Sequence, residues 1–472
     1  MTTRTLLRSL LCIACAATPL IPVFADEAPL PADLPPYGDS RPLPVARIEE
    51  QTLDNGLTVW VVPRSGYPMV DVRLVVRGGT AVDPPGQLGL ADVLADVLRG
   101  GTETRSSRQI AEDLQAVGGE LRTSASLDAL VVAADGFSTD FETVLSIVAD
   151  VARSSSFPAS EVELAKANAL QALQARMATP ELEVDKQFAA TVFGDHPYRF
   201  TSAEPETLQG LSREQLVREY RRRLRPERSL MIVAGPVDPA AAKAAVAASF
   251  GDWQAEGEAP AEVPAAPRST ERRILMIPRP GSVQSEIRVG RPSIPATDDD
   301  YIPVLVANTI FGGSFGSRLV DNIREDKGYT YSPGAGFDTF ARGGRLHVRA
   351  AVRNEVTAAS LLEIFYELDR MGSTLPTEQE LAQAQRFQGG LYLLRNQIQG
   401  ALVRTLANNW VEGLPVEALA EFVPKVEAVT AEDVKRVGRE HFASRRQVVV
   451  IGGDADAIRA DVELFGPVEV VE

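Results

Sequence analysis

The chain has 472 residues, 44% of them hydrophobic, 24% charged and 6% aromatic, which is typical of a globular protein rather than a disordered, collagenous or polytopic membrane chain. At roughly 100 to 200 residues per domain, this length predicts two to four domains. Lys and Arg total 48 against 64 Asp and Glu, so the net charge is −16 and nucleic acid is not an expected partner.

The N-terminus predicts export. Two arginines precede an apolar run that ends at Ala25 and is too short and too interrupted by proline to cross a bilayer. We therefore predict that residues 1–25 are a signal peptide and that the mature protein is periplasmic, with no membrane span. Both cysteines, Cys12 and Cys15, lie in this segment, which excludes cysteine chemistry in the mature chain. A lipoprotein anchored at Cys15 is a minor alternative.

Two proline-rich stretches divide the rest of the sequence. Residues 26–47 contain six prolines and little apolar periodicity, which indicates an extended arm. Residues 254–268 read QAEGEAPAEVPAAPR and are typical of an interdomain linker. These stretches delimit a first half at 48–253 and a second half at 269–472.

The two halves look alike at an offset of 218 residues. The helix-opening box Ser212–Gln215 falls on Thr430–Asp433, and the apolar strand Leu230–Val233 falls on Val448–Ile451. The turns after these strands also align, as does a Pro before a helix in each half. Several coincidences at one offset indicate a duplicated domain.

Within each half, short β-branched runs alternate with longer amphipathic stretches that have helical spacing. The predicted strands are 57–62, 70–76, 129–134 and 230–234 in the first half, and 273–277, 287–289, 346–352 and 448–451 in the second. This order predicts an α+β fold with two homologous halves, each a mostly antiparallel sheet covered by helices on one face.

Residues 89–102, GLADVLADVLRGGT, resemble the stretch around the inverted zinc motif H-x-x-E-H of the insulinase/pitrilysin family of zinc peptidases. In that motif two His bind zinc and the Glu between them is the general base. Here those positions hold Asp92, Ala95 and Asp96. Ala95 has no proton acceptor, so the base step cannot occur at this helix.

The third zinc ligand is absent as well. The resemblance places a Glu near Gln171, yet residues 164–180 contain no acidic side chain. The chain has three His, and no pair of them has metal-ligand spacing. Asp92 and Asp96 alone make a poor site for a hard cation, so we expect no cofactor in this chain.

The second half keeps a better match. Residues 311–319, FGGSFGSRL, and 323–332, IREDKGYTYS, resemble the signature of the family's second half, and the resemblance spans about 48–465. It implies that Arg324 and Tyr331 are the Arg and Tyr that face a zinc helix, where their donors can hold a substrate carbonyl and the oxyanion formed from it. From the residues alone, Tyr329 would be an equal candidate.

A glycine-rich loop precedes this pair. The related mitochondrial processing peptidase is thought to contact substrate through such a loop, which suggests a substrate-binding role for Gly312, Gly313 and Ser314. A plain turn between two helices explains the glycines equally well.

The resemblance implies a degenerate subunit, similar to the non-zinc subunit of bacterial two-subunit peptidases and of mitochondrial processing peptidase. We expect it to be inactive alone and to pair with an H-x-x-E-H subunit that supplies zinc and base, while Arg324 and Tyr331 act in trans on peptide substrates. The alternative is a catalytically silent scaffold or peptide-binding subunit, which would also keep the fold and lose the zinc ligands.

Overall fold

The computed structural model describes residues 47–471, all of which lie in one compact unit. The predicted signal peptide, both cysteines and residues 26–46 of the predicted arm lie outside the described residues. Among the helices that are described, none is long and apolar enough to cross a membrane.

Two sheets are built from strands spread along the whole described chain. The strands are β1 (Glu49–Thr52), β2 (Thr58–Pro63), β3 (Met69–Arg77), β4 (Leu121–Ala125), β5 (Ala129–Phe137), β6 (Ser229–Gly235), β7 (Ile274–Pro278), β8 (Gln284–Ser293), β9 (Gly334–Phe340), β10 (Gly343–Arg353), β11 (Val448–Gly453) and β12 (Val468–Val470).

Helices fill the intervals between these strands. The α-helices are α1 (Leu90–Leu98), α2 (Ser107–Ala116), α3 (Phe141–Ser154), α4 (Ala159–Met177), α5 (Glu181–Phe193), α6 (Pro205–Gly210), α7 (Arg213–Arg223), α8 (Pro239–Phe250), α9 (Tyr301–Asn308), α10 (Arg318–Val320), α11 (Thr357–Ser373), α12 (Glu378–Gln397), α13 (Gln399–Glu412), α14 (Ala418–Glu427), α15 (Ala431–Val437) and α16 (Ala455–Val462). Short π-helical turns cover Thr309–Gly313, Asp321–Asp326 and Gly438–Phe442.

The six strands of the first sheet run in the order β1-β2-β6-β3-β5-β4, and those of the second in the order β12-β7-β11-β8-β10-β9. Only β2 with β6 is parallel in the first sheet, and β7 is parallel to both of its neighbours in the second. The remaining pairs are antiparallel. The predicted α+β fold, with two homologous halves, is confirmed.

Two interior strands, β6 and β11, have uncharged sequences that are apolar along most of their length. β6 (SLMIVAG) and β11 (VVVIGG) are buried along their full length, because protein covers both faces of the sheet at these positions. On one face of each sheet, the helices of the same half form the main core. Leu94 and Ile147 belong to this core in the first half, and Ile364 and Val434 belong to it in the second.

The opposite face of each sheet is covered by a helix from the other half. In the first half, α5 leaves its own sheet and packs on β8 and β11, where Val184 and Phe188 share a core cluster with Val450 of β11 and Leu275 of the neighbouring β7. These side chains are almost fully buried. Because burying one such side chain stabilises by about 1.5 to 3 kcal/mol, this contact ties the halves together strongly.

The reciprocal contact is made by α13. Its side chains Leu402 and Leu406 pack on β3 and β6 of the first sheet, against Trp60 and Ile232. The residue that opens α5, Glu181, lies 218 positions before Gln399, which opens α13. The two exchanged helices therefore occupy equivalent places in the duplicated halves.

Residues 254–268 contain neither helix nor strand. They follow the surface between α8 and β7 and are held there by side-chain and backbone hydrogen bonds. The N–H of Ala266 donates to the carbonyl of Arg342 at 2.8 Å, and the Arg228 guanidinium lies 3.0 Å from the carboxylate of Glu262.

Candidate functional site

The N-terminus of α1, the helix that resembles the zinc motif, is fixed by a buried network. The Asp83 carboxylate accepts the N–H groups of Gly89 and Ala91 at 3.0 and 3.2 Å, and the Arg223 guanidinium donates to the same carboxylate at 2.8 Å. Gly89 has φ of 88°, and a Cβ there would lie 2.6 Å from the Cβ of Ala203. The helix is thus firmly placed in this fold.

The residues at the motif positions cannot do the zinc chemistry. Asp92 is exposed, Ala95 is only 2% exposed, and Asp96 forms an ion pair with Arg99 at 2.8 Å. Although Asp92 contacts solvent, the surrounding protein raises its pKa, and the negative charge of Asp96 raises it further. The helix therefore offers a carboxylate whose ionised form is disfavoured at position 92, no imidazole, and no base at position 95.

Helix α4 packs on α1 and should carry the third ligand. Gln171 is exposed, and the charged α4 residue that acts on Asp92 is Arg176, whose positive charge lowers the pKa of that carboxyl. The stretch that should carry the third ligand therefore supplies a positive charge near Asp92 and no carboxylate. Arg176, one of two basic residues in the acid-free stretch 164–180, was not predicted to act on Asp92.

One other group of metal-ligand types exists within 47–471. Ligand atoms of Asp300, Glu440 and His441 lie within 4.8 Å of one another, far along the chain from α1. Both carboxylate oxygens of Asp300 accept hydrogen bonds from Arg436, at 2.7 and 2.9 Å. This group does not reproduce the two-His, one-Glu ligand set of the inverted zinc motif.

The structure brings Arg324 and Tyr331 together. Arg324 lies in the π-helical turn Asp321–Asp326, and its guanidinium carbon is 4.9 Å from the ring centroid of Tyr331 and 4.6 Å from that of Phe315. Glu325 approaches the same guanidinium at 3.2 Å. Tyr331 is 81% exposed, so its hydroxyl is open to a binding partner. Sequence analysis missed Phe315, the exposed aromatic residue of the glycine-rich stretch.

The segment that carries Tyr331 is anchored on both sides. The N–H of Tyr329 donates to the carbonyl of Ile323 at 2.9 Å, and the hydroxyl of Thr330 donates to the carbonyl of Ala351 in β10 at 2.6 Å. Arg324, Tyr329 and Tyr331 line one open cavity of about 590 Å³. Tyr329 is half-buried, and the Arg324 guanidinium stacks on the ring of Tyr331.

The glycine-rich loop has a packing reason of its own. A Cβ on Gly312 would lie 2.7 Å from the Cβ of Ala335, and one on Gly313 would lie 2.9 Å from Nδ2 of Asn308. The Ser314 hydroxyl donates to a carbonyl of the same turn at 3.2 Å. The close approach of this turn to β9 therefore requires Gly312, and Gly313 is restricted by the preceding turn, whether or not a substrate contacts the loop.

Comparison with known proteins identifies the family to which this fold belongs. The model of the insulinase family, peptidase family M16, matches residues 60–206, and the model described as the peptidase M16 inactive domain matches residues 210–387. Together these matches span both halves. The chain belongs to the insulinase family.

Relatives and solved structures agree along most of the chain. An uncharacterized zinc protease of Mycobacterium tuberculosis is 29% identical over 409 residues, which is 85% of this chain and 92% of the relative. One from Streptomyces coelicolor is 26% identical over 418 residues, covering 86% and 90%. The crystal structure of a peptidase M16 inactive domain from Pseudomonas fluorescens has a TM-score of 0.80 at 23% identity and covers 86% of this chain and 98% of that one.

A protease from Helicobacter pylori has the same fold, with a TM-score of 0.80 at 16% identity, and covers 87% of this chain and 100% of that one. The insulinase-family fold is thus complete here, while the motif positions of α1 hold Asp92, Ala95 and Asp96. The chain is a non-catalytic member of the insulinase family.

Proposed function

We propose that this chain is the non-zinc subunit of an exported, heteromeric insulinase-like metallopeptidase. A partner subunit with H-x-x-E-H supplies zinc and general base, and this chain supplies Arg324 and Tyr331 to a bound peptide. The observation that carries the proposal is the stacked, exposed Arg324–Tyr331 pair beside an open cavity, in a chain whose own zinc helix has no ligands.

The chemistry of the pair suits this role. A guanidinium and a phenol are hydrogen-bond donors, and each can hold the carbonyl oxygen of a peptide as negative charge develops on it. The rings of Tyr331 and Phe315 flank the Arg324 guanidinium, and Glu325 lies 3.2 Å from its Nε, which leaves the two terminal NH2 groups for a peptide carbonyl. Both act as hydrogen-bond donors to the substrate and need no bond to the zinc, so the zinc can be held by a partner subunit. The zinc protease relatives support peptides as the substrate class.

A purely structural or peptide-holding subunit is the second candidate function. It is favoured by the loop glycines, because Gly312 and Gly313 are explained by packing against Ala335 and Asn308. Such a subunit needs no exposed phenol beside a guanidinium. The two candidate functions therefore predict different effects of removing the Tyr331 hydroxyl.

The deciding experiment compares Tyr331→Phe with its neighbour Tyr329→Phe in the complex with the zinc-bearing subunit. Loss of one oxyanion donor costs about 10² to 10³ in kcat, roughly 3 to 4 kcal/mol, and Tyr329→Phe should cost far less. The readout is kcat on a quenched peptide, with gel filtration to confirm that each complex forms. If Tyr331→Phe keeps kcat within about threefold of wild type, under 1 kcal/mol, the scaffold function replaces the catalytic one.

Export is part of the same proposal. We expect the mature protein to begin at Asp26 and to be soluble in the periplasm, because the N-terminal apolar run is short and ends in a small residue. The intact mass of the protein purified from its native host tests this directly. A mass corresponding to an acylated Cys15 at the N-terminus would establish a lipoprotein instead.

A further inference from the structure

Three residues of metal-ligand type meet in the second half, far along the chain from α1. Asp300 immediately precedes α9, whereas Glu440 and His441 lie in the π-helical turn Gly438–Phe442 that continues α15. Because α15 packs on α9, these two parts of the chain come together. One ligand atom from each of the three residues lies within 4.8 Å of the other two.

His441 distinguishes this group from an ordinary cluster of acids. The residue is only 5% exposed, yet neither of its ring nitrogens has a hydrogen-bond partner within 47–471. Buried polar atoms without a partner are rare and costly. Two of them on one imidazole indicate that a group from outside the polypeptide binds there.

The spacing between His441 and the two carboxylates excludes a direct hydrogen bond but suits a bridging ion. No carboxylate oxygen of the described chain comes within 4.0 Å of either ring nitrogen, while one oxygen of Asp300 and one of Glu440 lie within 4.8 Å of one nitrogen. A point within about 2.8 Å of all three atoms therefore exists, and zinc–ligand bonds are about 2.0 to 2.2 Å long. Shifts of less than about 1 Å would bring all three ligands onto one ion.

The protonation states of two of these side chains favour a metal. Burial lowers the pKa of His441, which keeps its imidazole neutral, the form that binds metal ions. The hydrogen bonds from Arg436 lower the pKa of Asp300, so this carboxylate stays ionised. Arg436 donates to both oxygens, at 2.9 and 2.7 Å, but each carboxylate oxygen has a second lone pair that can point to an ion.

Nearby arginines limit how tightly a cation can bind. The Arg291 guanidinium donates to the carbonyl of Glu440 at 2.7 Å, and the charges of Arg291 and Asp298 act on His441 with opposite signs. Arg436 brings a second positive charge to the group. We therefore expect moderate affinity, with the ion lost to a mild chelator, so that the chain purified without added metal contains little of it.

Ions can reach the group from solvent. Glu440 is exposed, and Asp300 lines an open cavity of about 830 Å³ between α9, α12, α13 and α14. The two carboxylates thus form the entrance, and the imidazole of His441 is the buried end. Three protein ligands leave a fourth position of a zinc ion for water.

We propose that Asp300, Glu440 and His441 bind one zinc ion. A set of one imidazole and two carboxylates favours Zn²⁺ over Ca²⁺ and Mg²⁺, which prefer oxygen ligands alone. The ion links the residue before α9 to the turn after α15 and so stabilises the packing of these helices. The site does not replace the zinc motif lost from α1, and it does not depend on the function assigned to Arg324 and Tyr331.

The test is titration of the full mature chain with Zn²⁺, after treatment with EDTA and removal of the chelator. Competition with a chromophoric zinc chelator measures the affinity. The melting temperature with and without Zn²⁺ is a second readout, because an ion that binds only the folded state raises it. We expect about one Zn²⁺ per chain with Kd below about 100 µM, and binding of Ca²⁺ and Mg²⁺ at least about tenfold weaker.

Variants assign the ligands. His441→Leu should lower the Zn²⁺ affinity by at least about tenfold and abolish the rise in melting temperature. Without metal it should be as stable as wild type or more stable, since the lost ring nitrogens have no partner in the described chain. Glu440→Gln removes one exposed charge and should also lower the affinity by about tenfold or more.

Two variants serve as matched controls. His347→Leu removes another histidine with a buried, unpartnered ring nitrogen, one that does not belong to the three-residue group. Asp299→Asn removes an exposed negative charge beside Asp300. Each should change the Zn²⁺ affinity by less than about threefold, because neither side chain is a ligand and exposed charges are screened.

The proposal is overturned if Zn²⁺ does not bind at ~1 mM, if Ca²⁺ binds as tightly as Zn²⁺, or if His441→Leu keeps wild-type affinity. Glu440→Gln changes an exposed side chain, so it decides the matter if His441→Leu fails to fold, and unchanged affinity there also overturns the proposal. None of these measurements uses peptidase activity, so their outcome is independent of the proposed role in a peptidase.

Discussion

Arg223→Met removes the residue that holds the N-terminus of α1 and that is itself fully buried. Its guanidinium donates to the Asp83 carboxylate at 2.8 Å, to that of Glu219 at 3.2 Å and to the carbonyl of Gly79 at 2.8 Å. Methionine fills much of the volume but leaves two buried carboxylates without this partner. Removing one member of a buried pair typically costs about 3 to 5 kcal/mol, and we expect a loss of that size in the free energy of unfolding.

The assay is urea denaturation of wild type, Arg223→Met, Asp83→Asn and the double variant at pH 7. Because Asp83→Asn removes the stranded charge, the double variant should be less destabilised than the sum of the single variants by more than about 1 kcal/mol. Burial already raises the pKa of Asp83 to about 6 in spite of Arg223. Without Arg223 that pKa rises further, so the deficit of Arg223→Met should shrink as the pH is lowered from 7 to 5.

A cost below about 1 kcal/mol for Arg223→Met would refute this reasoning, since it would mean that Asp83 and Glu219 are not stranded by the substitution. Additive single and double variants would refute it as well. Asp113→Asn is a suitable control, because its ion pair with Arg105 at 3.3 Å is about half exposed on the carboxylate side and should contribute under 1 kcal/mol.

Two further predictions concern metal content and acid stability. Metal analysis of the purified chain should find no stoichiometric zinc, because the motif helix offers no imidazole, and about one zinc per chain resistant to mild chelation would contradict this. Burial would raise the pKa of Glu380, but the hydrogen bonds from Arg318 at 2.6 and 3.0 Å, together with those from Thr377, outweigh it and lower the pKa to about 2. The ionised Glu380 therefore stabilises the folded protein above about pH 4.5, and this stabilisation is lost as the pH falls towards 2. Glu380→Gln should lower the free energy of unfolding by about 1 to 2 kcal/mol at pH 7, allowing for partial exposure, and by much less near pH 3. The urea midpoints of both proteins at the two pH values measure this difference.

The sequence predicts the interior of each sheet better than its edges. All eight strands predicted from apolar runs are present in the structure. The strands that escaped prediction are β1, β4, β9 and β12, which are the outermost strands of the two sheets. Edge strands such as β1 (EEQT) are largely exposed on both faces, so they lack the continuous or alternating apolar pattern that identifies a strand.

The placement of α5 and α13 could not be predicted from spacing. Their apolar residues indicate that each helix buries one face, but no local signal says which sheet that face covers. The sequence analysis predicted helices on one face of each sheet, and the helices of the same half do cover one face. The second face is closed by the other half, a long-range contact that depends on the whole fold.

The features of the candidate site that depend only on which residue occupies a position could be predicted from the sequence. The missing imidazoles and the absent base at Ala95 follow from the sequence alone, and the pairing of Arg324 with Tyr331 follows from the family resemblance. The contact of Phe315 with Arg324 could not be predicted from the sequence, because it depends on how the π-helical turn orients both side chains. The roles of Arg324 and Tyr331 in a peptidase stay predictions.

The exchange of α5 and α13 has a consequence for how such a chain could arise. A half produced alone would leave one apolar face of its sheet uncovered, while its own exchanged helix would have no sheet to cover. Two identical copies of such a half could cover each other by swapping that helix around a two-fold axis, and the described chain contains the same reciprocal arrangement within one polypeptide. Because residues 254–268 join the two halves in one polypeptide, their sequences need not be identical, and Asp92, Ala95 and Asp96 occur in one half while Arg324 and Tyr331 occur in the other.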